Sequence, residues 1–399
     1  MRLSQKVQDM QFSPIRKFNV YAIEAKAKGK KVYHLNIGQP DIKTPAAFMD
    51  AIRNFDSEVL AYAESGGLTQ LQDAIAKYFD RFGMNIERKD VMITNGGSEG
   101  LSMVYTCLLD EGDEVLIPEP FYTNYQTFIA AAGGVLVPIT TSAEEGYKFA
   151  YADRIEKLIT DKTRAISVVN PGNPTGTILT DEEMRVIADI AKKHDLWIIA
   201  DEAYREFVYD GNEMKSFGQL EDVQDRVIIV DTVSKRFSAC GARIGCIVSK
   251  NNELMSNAMK IAQGRLCCPT LDMIGSTALY ELDPSYFDEI KAEYEARRDA
   301  AYEEIMKIPG VVCNKPGGAF YMMVKLPIES AEDFLVWLLT EFEDNNETVM
   351  FAPIAGFYGT KGLGKNELRI ASVLKKEDLV RGCELIRIGL EQYKAAGHK

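Results

Sequence analysis

The sequence predicts an α/β protein, with a mainly parallel sheet flanked by helices and a smaller α+β domain beside it. From residue 90 to about residue 285, short apolar runs alternate with helical segments, which is typical of strands joined by crossover helices. The runs at 196–200 and 227–230 are continuously apolar, as expected for strands buried on both faces. After residue 285 this alternation stops, which indicates a second unit.

Length and charge restrict the class of protein. The 399 residues are 46% hydrophobic, enough for two domains with large cores. A net charge of −13 argues against nucleic acid or an anionic membrane as the main partner, because both attract basic surfaces. Residues 1–10 lack the apolar core of a secretory signal, and no apolar run reaches membrane-spanning length. We therefore expect a cytoplasmic protein that is not in a membrane.

Cysteine and histidine usage restricts the chemistry. The seven cysteines form no C-x-x-C pair, so we expect free thiols in a reducing compartment. The three histidines, His34, His194 and His398, lie far apart in the sequence. This spacing disfavours a zinc site and a Ser-His-Asp triad, and no metal is expected.

The first elements are an arm, a strand and a helix. Residues 1–16 predict an arm, and the apolar run at 32–37 predicts a strand that turns at Gly38. Thr69 and Gln72 have the spacing of a capping box, which predicts a helix that starts there and continues to residue 82.

Six apolar runs then predict the strands of the larger sheet. They lie at residues 91–94, 114–117, 135–137, 165–169, 196–200 and 227–230. A second capping box, formed by Thr180 and Glu183, predicts the start of the helix that precedes the fifth of these strands.

The C-terminal region predicts the smaller domain. Its expected elements are helices at 286–306 and near 331–342, strands within 318–324 and at 368–371, and a final helix. The final helix has one apolar stripe, made of Leu379, Cys383, Ile386 and Leu390. The acidic run at 341–347 predicts a solvated loop. The expected boundaries are 1–16 for the arm, 17–45 with 286–399 for the smaller domain, and 46–285 for the larger domain.

Polar residues follow the first predicted strands of the sheet, and ligands of open α/β sheets bind outside the carboxyl ends of the strands. After the first strand, Gly96 and Gly97 open a helix, whose free N–H groups can hold a phosphate. After the second strand come Phe121, Tyr122 and Tyr125. Their rings can stack on a flat heteroaromatic ligand or pack in the core.

The next strand ends carry amide, carboxylate and amine groups. Residues 170–176 form a rigid turn that presents amide side chains. Asp201 ends a buried strand, where a carboxylate needs a cation or a helix cap. Lys235 follows the last strand, with Arg243 eight residues later. A lysine near another cation, or partly removed from water, loses its proton more easily and can attack an aldehyde. A solvated lysine at a strand end is the alternative.

Three motifs occur in this order along the chain. They are Asn-Pro-Gly-Asn-Pro-Thr-Gly at 170–176, Asp-Glu-Ala-Tyr at 201–204 and Ser-Lys-x5-Gly-x-Arg-x-Gly at 234–245. Together they resemble the signature of class I aminotransferases, the pyridoxal-phosphate enzymes typified by aspartate aminotransferase. The resemblance extends from Asn36 to Ile370 and implies fold type I, with a seven-stranded sheet in the larger domain.

The resemblance implies a role for each matching residue around the cofactor ring. Lys235 would bind the aldehyde carbon of pyridoxal phosphate, and Asp201 would keep the ring nitrogen protonated. Tyr204 and Asn173 would contact the phenolic oxygen, and Tyr122 would stack on the ring.

Other implied contacts hold the phosphate and the substrate. The residues implied around the phosphate are Gly97, Ser98, Glu99, Thr232, Ser234, Arg243 and, from a neighbouring subunit, Tyr62. Tyr62 thus implies a homodimer with shared active sites. Arg369 would bind the substrate α-carboxylate with its two-pronged guanidinium, assisted by Asn173 and the backbone N–H of Gly38. Thr232 stands where many relatives have serine, which keeps the hydroxyl.

The resemblance implies ping-pong amino transfer between an amino acid and a 2-oxo acid. Aspartate or glutamate, or a broad range of donors with 2-oxoglutarate as acceptor, is the favoured specificity, and Arg265 is a candidate ligand for a side-chain carboxylate. Ile15, Phe18 and Phe320 could instead line a pocket for aromatic or branched substrates. A C–S β-lyase, a decarboxylase and a non-catalytic cofactor-binding module remain alternatives on the same fold.

Overall fold

The structure is a computed structural model that describes residues 1–398. The strands are β1 (Lys31–His34), β2 (Val91–Thr94), β3 (Glu114–Pro118), β4 (Val135–Ile139), β5 (Thr163–Val169), β6 (Trp197–Asp201), β7 (Val227–Thr232), β8 (Gly245–Val248), β9 (Tyr321–Lys325), β10 (Glu347–Met350), β11 (Ala352–Pro353) and β12 (Glu367–Ala371). The helices are α1 (Gln5–Asp9), α2 (Asn19–Ala27), α3 (Ala46–Arg53), α4 (Thr69–Asp80), α5 (Gly97–Leu108), α6 (Asn124–Ala131), α7 (Ala152–Glu156), α8 (Asp181–Lys193), α9 (Val233–Arg236), α10 (Asn252–Arg265), α11 (Thr270–Tyr280), α12 (Ser285–Ile305), α13 (Ala331–Thr340) and α14 (Lys376–Ala395).

The central sheet has seven strands in the order β2-β8-β7-β6-β5-β3-β4. Strands β7, β6, β5, β3 and β4 are parallel, whereas β8 is antiparallel to both of its neighbours. The predicted fold class, a mainly parallel seven-stranded sheet flanked by helices, is confirmed. β8 was not assigned from the sequence, because its four residues directly follow the Gly- and Arg-containing motif and give too short an apolar run to separate from that loop.

The strands are buried because helices cover both faces of the sheet. Ile198 belongs to the hydrophobic cluster that contains Ile187 of α8. The next residue, Ile199, belongs to the cluster that contains Val104 of α5. Successive strand residues point to opposite faces, so a strand covered on both sides is apolar at most of its positions.

The two capping predictions have opposite outcomes. At the start of α8, Thr180 Oγ1 accepts a hydrogen bond from the Glu183 N–H at 3.2 Å, and Glu183 Oε2 accepts one from the Thr180 N–H at 2.9 Å. The prediction for Thr69 is wrong, because Thr69 is the first helical residue of α4 and makes no cap. The Gln72 amide instead donates to the carbonyl oxygen of Val91 at 2.8 Å, which ties α4 to β2.

A second unit is built from both ends of the chain. β1 pairs in parallel with β10, and β9, β11 and β12 form a separate antiparallel sheet. Helices α2, α13 and α14 supply residues to one hydrophobic cluster with these strands. The predicted apolar stripe of α14 is confirmed, because Leu379, Cys383, Ile386 and Leu390 are all buried.

The acidic run at 341–347 departs from the predicted solvated loop. Glu347 begins β10, and its carboxylate accepts a hydrogen bond from Nε of Arg381 at 2.7 Å. Arg381 also pairs with Asp344. This partly buried arginine on α14 comes from a distant part of the sequence, so the local acidic pattern did not reveal the pairing.

Two further observations concern the whole described chain. All seven cysteines, which lie within residues 1–398, are free thiols. Among the helices of that part of the chain, none combines the length and the apolar character that crossing a bilayer requires.

Candidate active site

A cavity of about 620 Å³ opens at the carboxyl ends of the parallel strands. Strands β5, β6 and β7 are parallel neighbours, so the residues that follow them meet at one edge of the sheet. The residues proposed from the sequence that line this cavity are Gly38, Gly97, Ser98, Tyr122, Asn173, Asp201, Tyr204, Thr232, Ser234, Lys235, Arg243 and Arg369. Arg369 comes from β12 in the second unit, so the cavity is closed by both parts of the fold.

Lys235 lies on α9, a single helical turn directly after β7. Thr232 caps this turn, because its Oγ1 accepts a hydrogen bond from the Ser234 N–H at 3.2 Å. The Lys235 amine donates to the carbonyl oxygen of Gly38 at 3.0 Å. Within residues 1–398, no carboxylate lies within 4.0 Å of Nζ. The amine therefore faces the cavity with no salt-bridge partner from the described residues. Gly38 contacts it through its carbonyl group, whereas the resemblance implied a role for its N–H.

Asp201, the last residue of β6, is a buried carboxyl that pairs with no cation among residues 1–398. Its Oδ2 accepts a hydrogen bond from the Tyr125 hydroxyl at 2.8 Å, and its Oδ1 accepts one from the Ala203 N–H at 3.1 Å. Burial raises the pKa of Asp201 to about 6, although both hydrogen bonds lower it. A cationic ligand against this carboxyl would favour its ionised form.

The start of α5 has the features of an anion-binding site. The first N–H groups of a helix have no acceptors within the helix, and the helix dipole favours negative charge there. Thr232 and Ser234 present hydroxyls 2.8 Å apart beside this end. A Cβ on Gly96 would lie 2.5 Å from NH2 of Arg243. Glycine at residue 96 therefore lets the guanidinium approach the helix start.

Arg369 is buried among hydrogen-bond and aromatic contacts. It donates to Oδ1 of Asn173 at 3.1 Å and to the carbonyl oxygen of Asn36 at 2.9 Å. Its guanidinium carbon lies 4.3 Å from the centre of the Tyr321 ring. Its Nε is buried and has no hydrogen-bond partner in the described part of the chain, so the guanidinium retains a donor for a ligand.

A series of polar contacts runs from Arg369 through Asn173 and Tyr204 to Tyr321. The Asn173 amide donates to the Tyr204 hydroxyl at 3.3 Å, and the hydroxyls of Tyr204 and Tyr321 lie 3.0 Å apart. Burial raises the pKa of Tyr204 well above its usual value, so this hydroxyl keeps its proton and can donate it in a hydrogen bond.

Tyr122 also lines the cavity. Its ring packs edge-on against that of Tyr125, with 5.6 Å between centroids, and its hydroxyl accepts a hydrogen bond from Asn124 at 2.6 Å. Burial raises the pKa of Tyr122 to about 12. Its ring is thus held by contacts on one side and borders the cavity.

Glu99 and Arg265 do not line this cavity. Oε2 of Glu99 accepts hydrogen bonds from the Asn95 N–H at 2.6 Å and from NH1 of Arg265 at 2.8 Å. Arg265 also donates to the carbonyl oxygen of Ser65 at 2.7 Å and borders a different cavity. The Glu99 carboxylate is thus engaged elsewhere, which leaves only its backbone N–H for a cofactor contact. Because Arg265 lies at a different cavity, the prediction that it binds a substrate carboxylate does not hold within this chain.

Tyr62 is far from buried in this chain. Its side chain is 81% exposed and borders the second cavity together with Arg265. The structure therefore does not bring Tyr62 to the residues proposed for the phosphate of the same chain.

The sequence suggested that Ile15, Phe18 and Phe320 line an apolar substrate pocket, and this prediction is wrong for Phe18 and Phe320. Phe18 is buried in the core of the second unit. Phe320 packs edge-on against Tyr204 at 5.2 Å and does not line the cavity. Ile15 does line it. Phe18 and Phe320 are buried in hydrophobic clusters instead of lining the cavity. This depends on how helices and strands pack together, which the local sequence pattern does not reveal.

Sequence reasoning missed several residues that border the cavity. They include Arg16, Asn36, Tyr321 and, as the hydrogen-bond donor to Asp201, Tyr125. Asn36 and Tyr321 lie in segments recognised as strands or turns, and Tyr125 was considered only as a stacking ring. Arg16 lies in the N-terminal segment, where no local pattern pointed to a ligand.

Comparisons with known proteins agree with this arrangement. A family model described as aminotransferase class I and II matches residues 30–386. An aspartate aminotransferase of Bacillus subtilis is 31% identical over 369 residues, which cover 90% of this chain and 92% of the relative. A probable aspartate/prephenate aminotransferase of Aquifex aeolicus is 31% identical and covers 98% of this chain and 99% of its own length. The solved structure of an alanine aminotransferase from Pyrococcus furiosus has a TM-score of 0.89 and 30% identity, with 99% of this chain and 100% of that chain covered.

Proposed function

The chain belongs to the class I and II aminotransferase family and is a transaminase, and we propose that it uses pyridoxal 5'-phosphate to move an amino group from an amino acid to a 2-oxo acid. One observation carries the cofactor proposal: the Lys235 amine and the buried Asp201 carboxyl line the same cavity, and neither has a partner of opposite charge within residues 1–398. A pyridine aldehyde satisfies both, because it offers a carbonyl to the amine and a protonated nitrogen to the carboxyl.

The donor set fits the rest of this cofactor. We propose that the start of α5 at Gly97 and Ser98, the hydroxyls of Thr232 and Ser234, and Arg243 hold its phosphate. Tyr204 and Asn173 would donate to its phenolic oxygen, and Tyr122 would stack on its ring. When bound, the cofactor supplies an electron-withdrawing ring that accepts the electron pair released at the substrate Cα.

The chain's own residues would bind the substrate and move its proton. Arg369 would bind the α-carboxylate in a bidentate contact, with Asn173 beside it at 3.1 Å. This contact would orient the Cα–H bond relative to the Lys235 amine. We propose that Nζ of Lys235 takes the proton from Cα as general base and, as general acid, delivers it to the carbon that was the cofactor's aldehyde carbon. Asp201 would remain ionised beside the ring nitrogen throughout.

The proposed substrates are aspartate or glutamate as donor and 2-oxoglutarate as acceptor, in a ping-pong sequence. The names of the Bacillus subtilis and Aquifex aeolicus relatives support aspartate. The Pyrococcus furiosus structure is named an alanine aminotransferase, so small neutral amino acids must also be tested as donors.

We also propose that the enzyme is a cytoplasmic homodimer with shared active sites. Val59, Leu60 and Tyr62 are 69%, 61% and 81% exposed, and an exposed apolar segment of this kind favours burial against a second copy. Tyr62 would then contact the phosphate bound by that copy. The free thiols support a reducing compartment. The division into an arm (1–16), a smaller domain (17–45 with 286–399) and a larger domain (46–285) remains part of this proposal.

A half-reaction screen tests the proposed function. The holoenzyme is mixed with one amino acid at a time, while cofactor absorbance, 2-oxo acid, ammonia and carbon dioxide are followed. We expect one equivalent of 2-oxo acid per site and no ammonia. Catalytic release of ammonia and pyruvate would instead identify an elimination, and release of carbon dioxide a decarboxylation.

Two variants complete this test. Lys235→Ala should lower the rate by about 10²- to 10⁴-fold and prevent borohydride from attaching the cofactor to the chain. Lys250→Ala is the matched control, because Lys250 bonds Gln224 away from the cavity. Turnover by Lys235→Ala at the wild-type rate would contradict the assignment.

A further inference from the structure

We propose that Arg16 binds the side-chain carboxylate of a dicarboxylic substrate while Arg369 binds its α-carboxylate. This inference rests on the proposed transamination and adds the residue that selects acidic side chains. It assigns to the N-terminal segment, within the same chain, a role that the sequence suggested for Arg265.

The charges around the cavity support this role. Its cationic lining residues are Arg16, Lys235, Arg243 and Arg369, and its acidic lining residues are Asp201 and Asp231. Asp231 is already paired with the buried Arg236, which lies outside the cavity. The proposed function uses every one of these cations except Arg16. A second carboxylate on the substrate balances the charge that remains.

Arg16 is free to take such a ligand. The neighbouring Lys17 pairs with Glu332 at 2.7 Å. No carboxylate of residues 1–398 lies within 4.0 Å of the Arg16 guanidinium. An unpaired guanidinium beside a cavity binds a carboxylate more favourably than one that must first leave an internal partner.

The backbone around Arg16 is anchored on both sides. Pro14 is buried against Gly356, where an added Cβ would come within 2.4 Å of the proline ring. Phe18 is buried in the core of the second unit. Arg16 begins the short helical turn between these two anchors, so only its side chain must become ordered when a ligand binds.

The same wall of the cavity connects Arg16 to Arg369. Ile15 packs against the hydrophobic cluster that contains Phe357. The ring centre of Phe357 lies 5.3 Å from the guanidinium carbon of Arg369. The two arginines therefore border one continuous surface of the same cavity, and the proposal requires a ligand with two carboxylates to contact both.

Arg265, the other candidate, is already engaged. Its guanidinium pairs with Glu99 at 2.8 Å and donates to the Ser65 carbonyl oxygen at 2.7 Å. Binding a substrate would require Arg265 to leave a partly buried carboxylate unpaired, which is unfavourable.

The decisive experiment compares acidic and neutral substrates on the Arg16→Met holoenzyme. We expect kcat/KM for aspartate and for 2-oxoglutarate to fall about 10- to 100-fold, as for the loss of one charge-assisted contact. The kcat/KM for alanine should stay within about threefold, because Arg369 still binds its only carboxylate. Lys17→Met is the matched control, since it removes a neighbouring cation that faces Glu332, and Arg265→Met tests the other candidate.

Binding of succinate and propionate, measured by calorimetry on the same holoenzymes, gives a readout without turnover. Succinate should bind about tenfold more weakly to Arg16→Met, and propionate equally well. An unchanged aspartate-to-alanine ratio in Arg16→Met, an equal loss for both substrates, or loss of the aspartate preference in Arg265→Met would overturn the proposal. If wild-type protein transaminates no amino acid, the proposed function fails, whereas the succinate measurement still decides the role of Arg16.

Discussion

The Tyr125 hydroxyl and the Asp201 carboxyl are joined by a buried hydrogen bond of 2.8 Å. Tyr125 lies on α6 and Asp201 ends β6. Burial raises the pKa of Asp201 to about 6, while the hydrogen bonds from Tyr125 and from the Ala203 N–H act in the opposite direction. Because these effects oppose each other, a change around the carboxyl shifts its pKa and therefore its charge.

The cofactor-free chain should lose stability through Asp201 as the pH rises from about 4 to 6. In this range the folded state keeps a proton that the unfolded state has already released, so the free energy of unfolding decreases with pH. The total change is roughly 3 kcal/mol for a pKa raised from 3.8 to about 6. Urea unfolding of wild type and Asp201→Asn across this range measures it as the difference between the two curves. A difference that is constant with pH would refute the prediction.

Tyr125→Phe extends the same measurement. Without the phenolic donor the ionised carboxylate loses a hydrogen bond, so the pKa of Asp201 should rise further. The fall in stability should then continue to a higher pH than in the wild type.

Arg369→Lys should reduce kcat/KM for every amino acid by the same factor, about 100-fold. Lysine keeps the charge but cannot form the two-pronged contact with the α-carboxylate. Steady-state kinetics with aspartate and alanine test this expectation. A loss confined to aspartate would mean that Arg369 binds the side chain instead.

Gly96→Ala should weaken cofactor binding about tenfold. The added Cβ would lie 2.5 Å from NH2 of Arg243, so the guanidinium must leave its position beside the start of α5. The positive φ of 79° at Gly96 adds a stability cost of about 1–2 kcal/mol.

Gly112→Ala is the matched control for this substitution. Its φ of 86° is also positive, so alanine adds backbone strain there too, but the nearest atom to the added Cβ is Nζ of Lys162 at 4.0 Å. It should therefore lower the melting temperature without changing cofactor affinity, as measured by equilibrium dialysis. Equal losses of affinity in both variants would show that backbone strain, rather than displacement of Arg243, is the cause.

Thr180→Ala should destabilise the protein by about 1 kcal/mol, because it removes the cap of α8. Thr69→Ala should change stability by less than about 0.5 kcal/mol, since Thr69 makes no cap. Chemical unfolding measures the loss of stability in each variant and so shows which of the two sequence matches forms a capping box in the folded protein. Similar losses for both would contradict the difference between the two helix starts.

Much of the candidate site followed from the order of the chain. In a parallel sheet every strand ends at the same edge, so residues that follow successive strands are brought together whatever the exact packing. For this reason Asn173, Asp201 and Lys235 could be grouped from sequence alone. The capping box at Thr180 was predictable because its partners are three residues apart and interact within one turn.

Contacts between distant elements were decided only by the tertiary structure. Tyr125 reaches Asp201 because of how α6 packs beside the sheet, and Arg265 faces Glu99 because α10 packs on α5. A side chain on a helix can point to a ligand, a core or another charge, and its sequence neighbours do not distinguish these outcomes. Sequence alone therefore determined the fold class and the residues at the strand ends. Packing between elements decided which arginine, Arg16 or Arg265, borders the cavity at the strand ends.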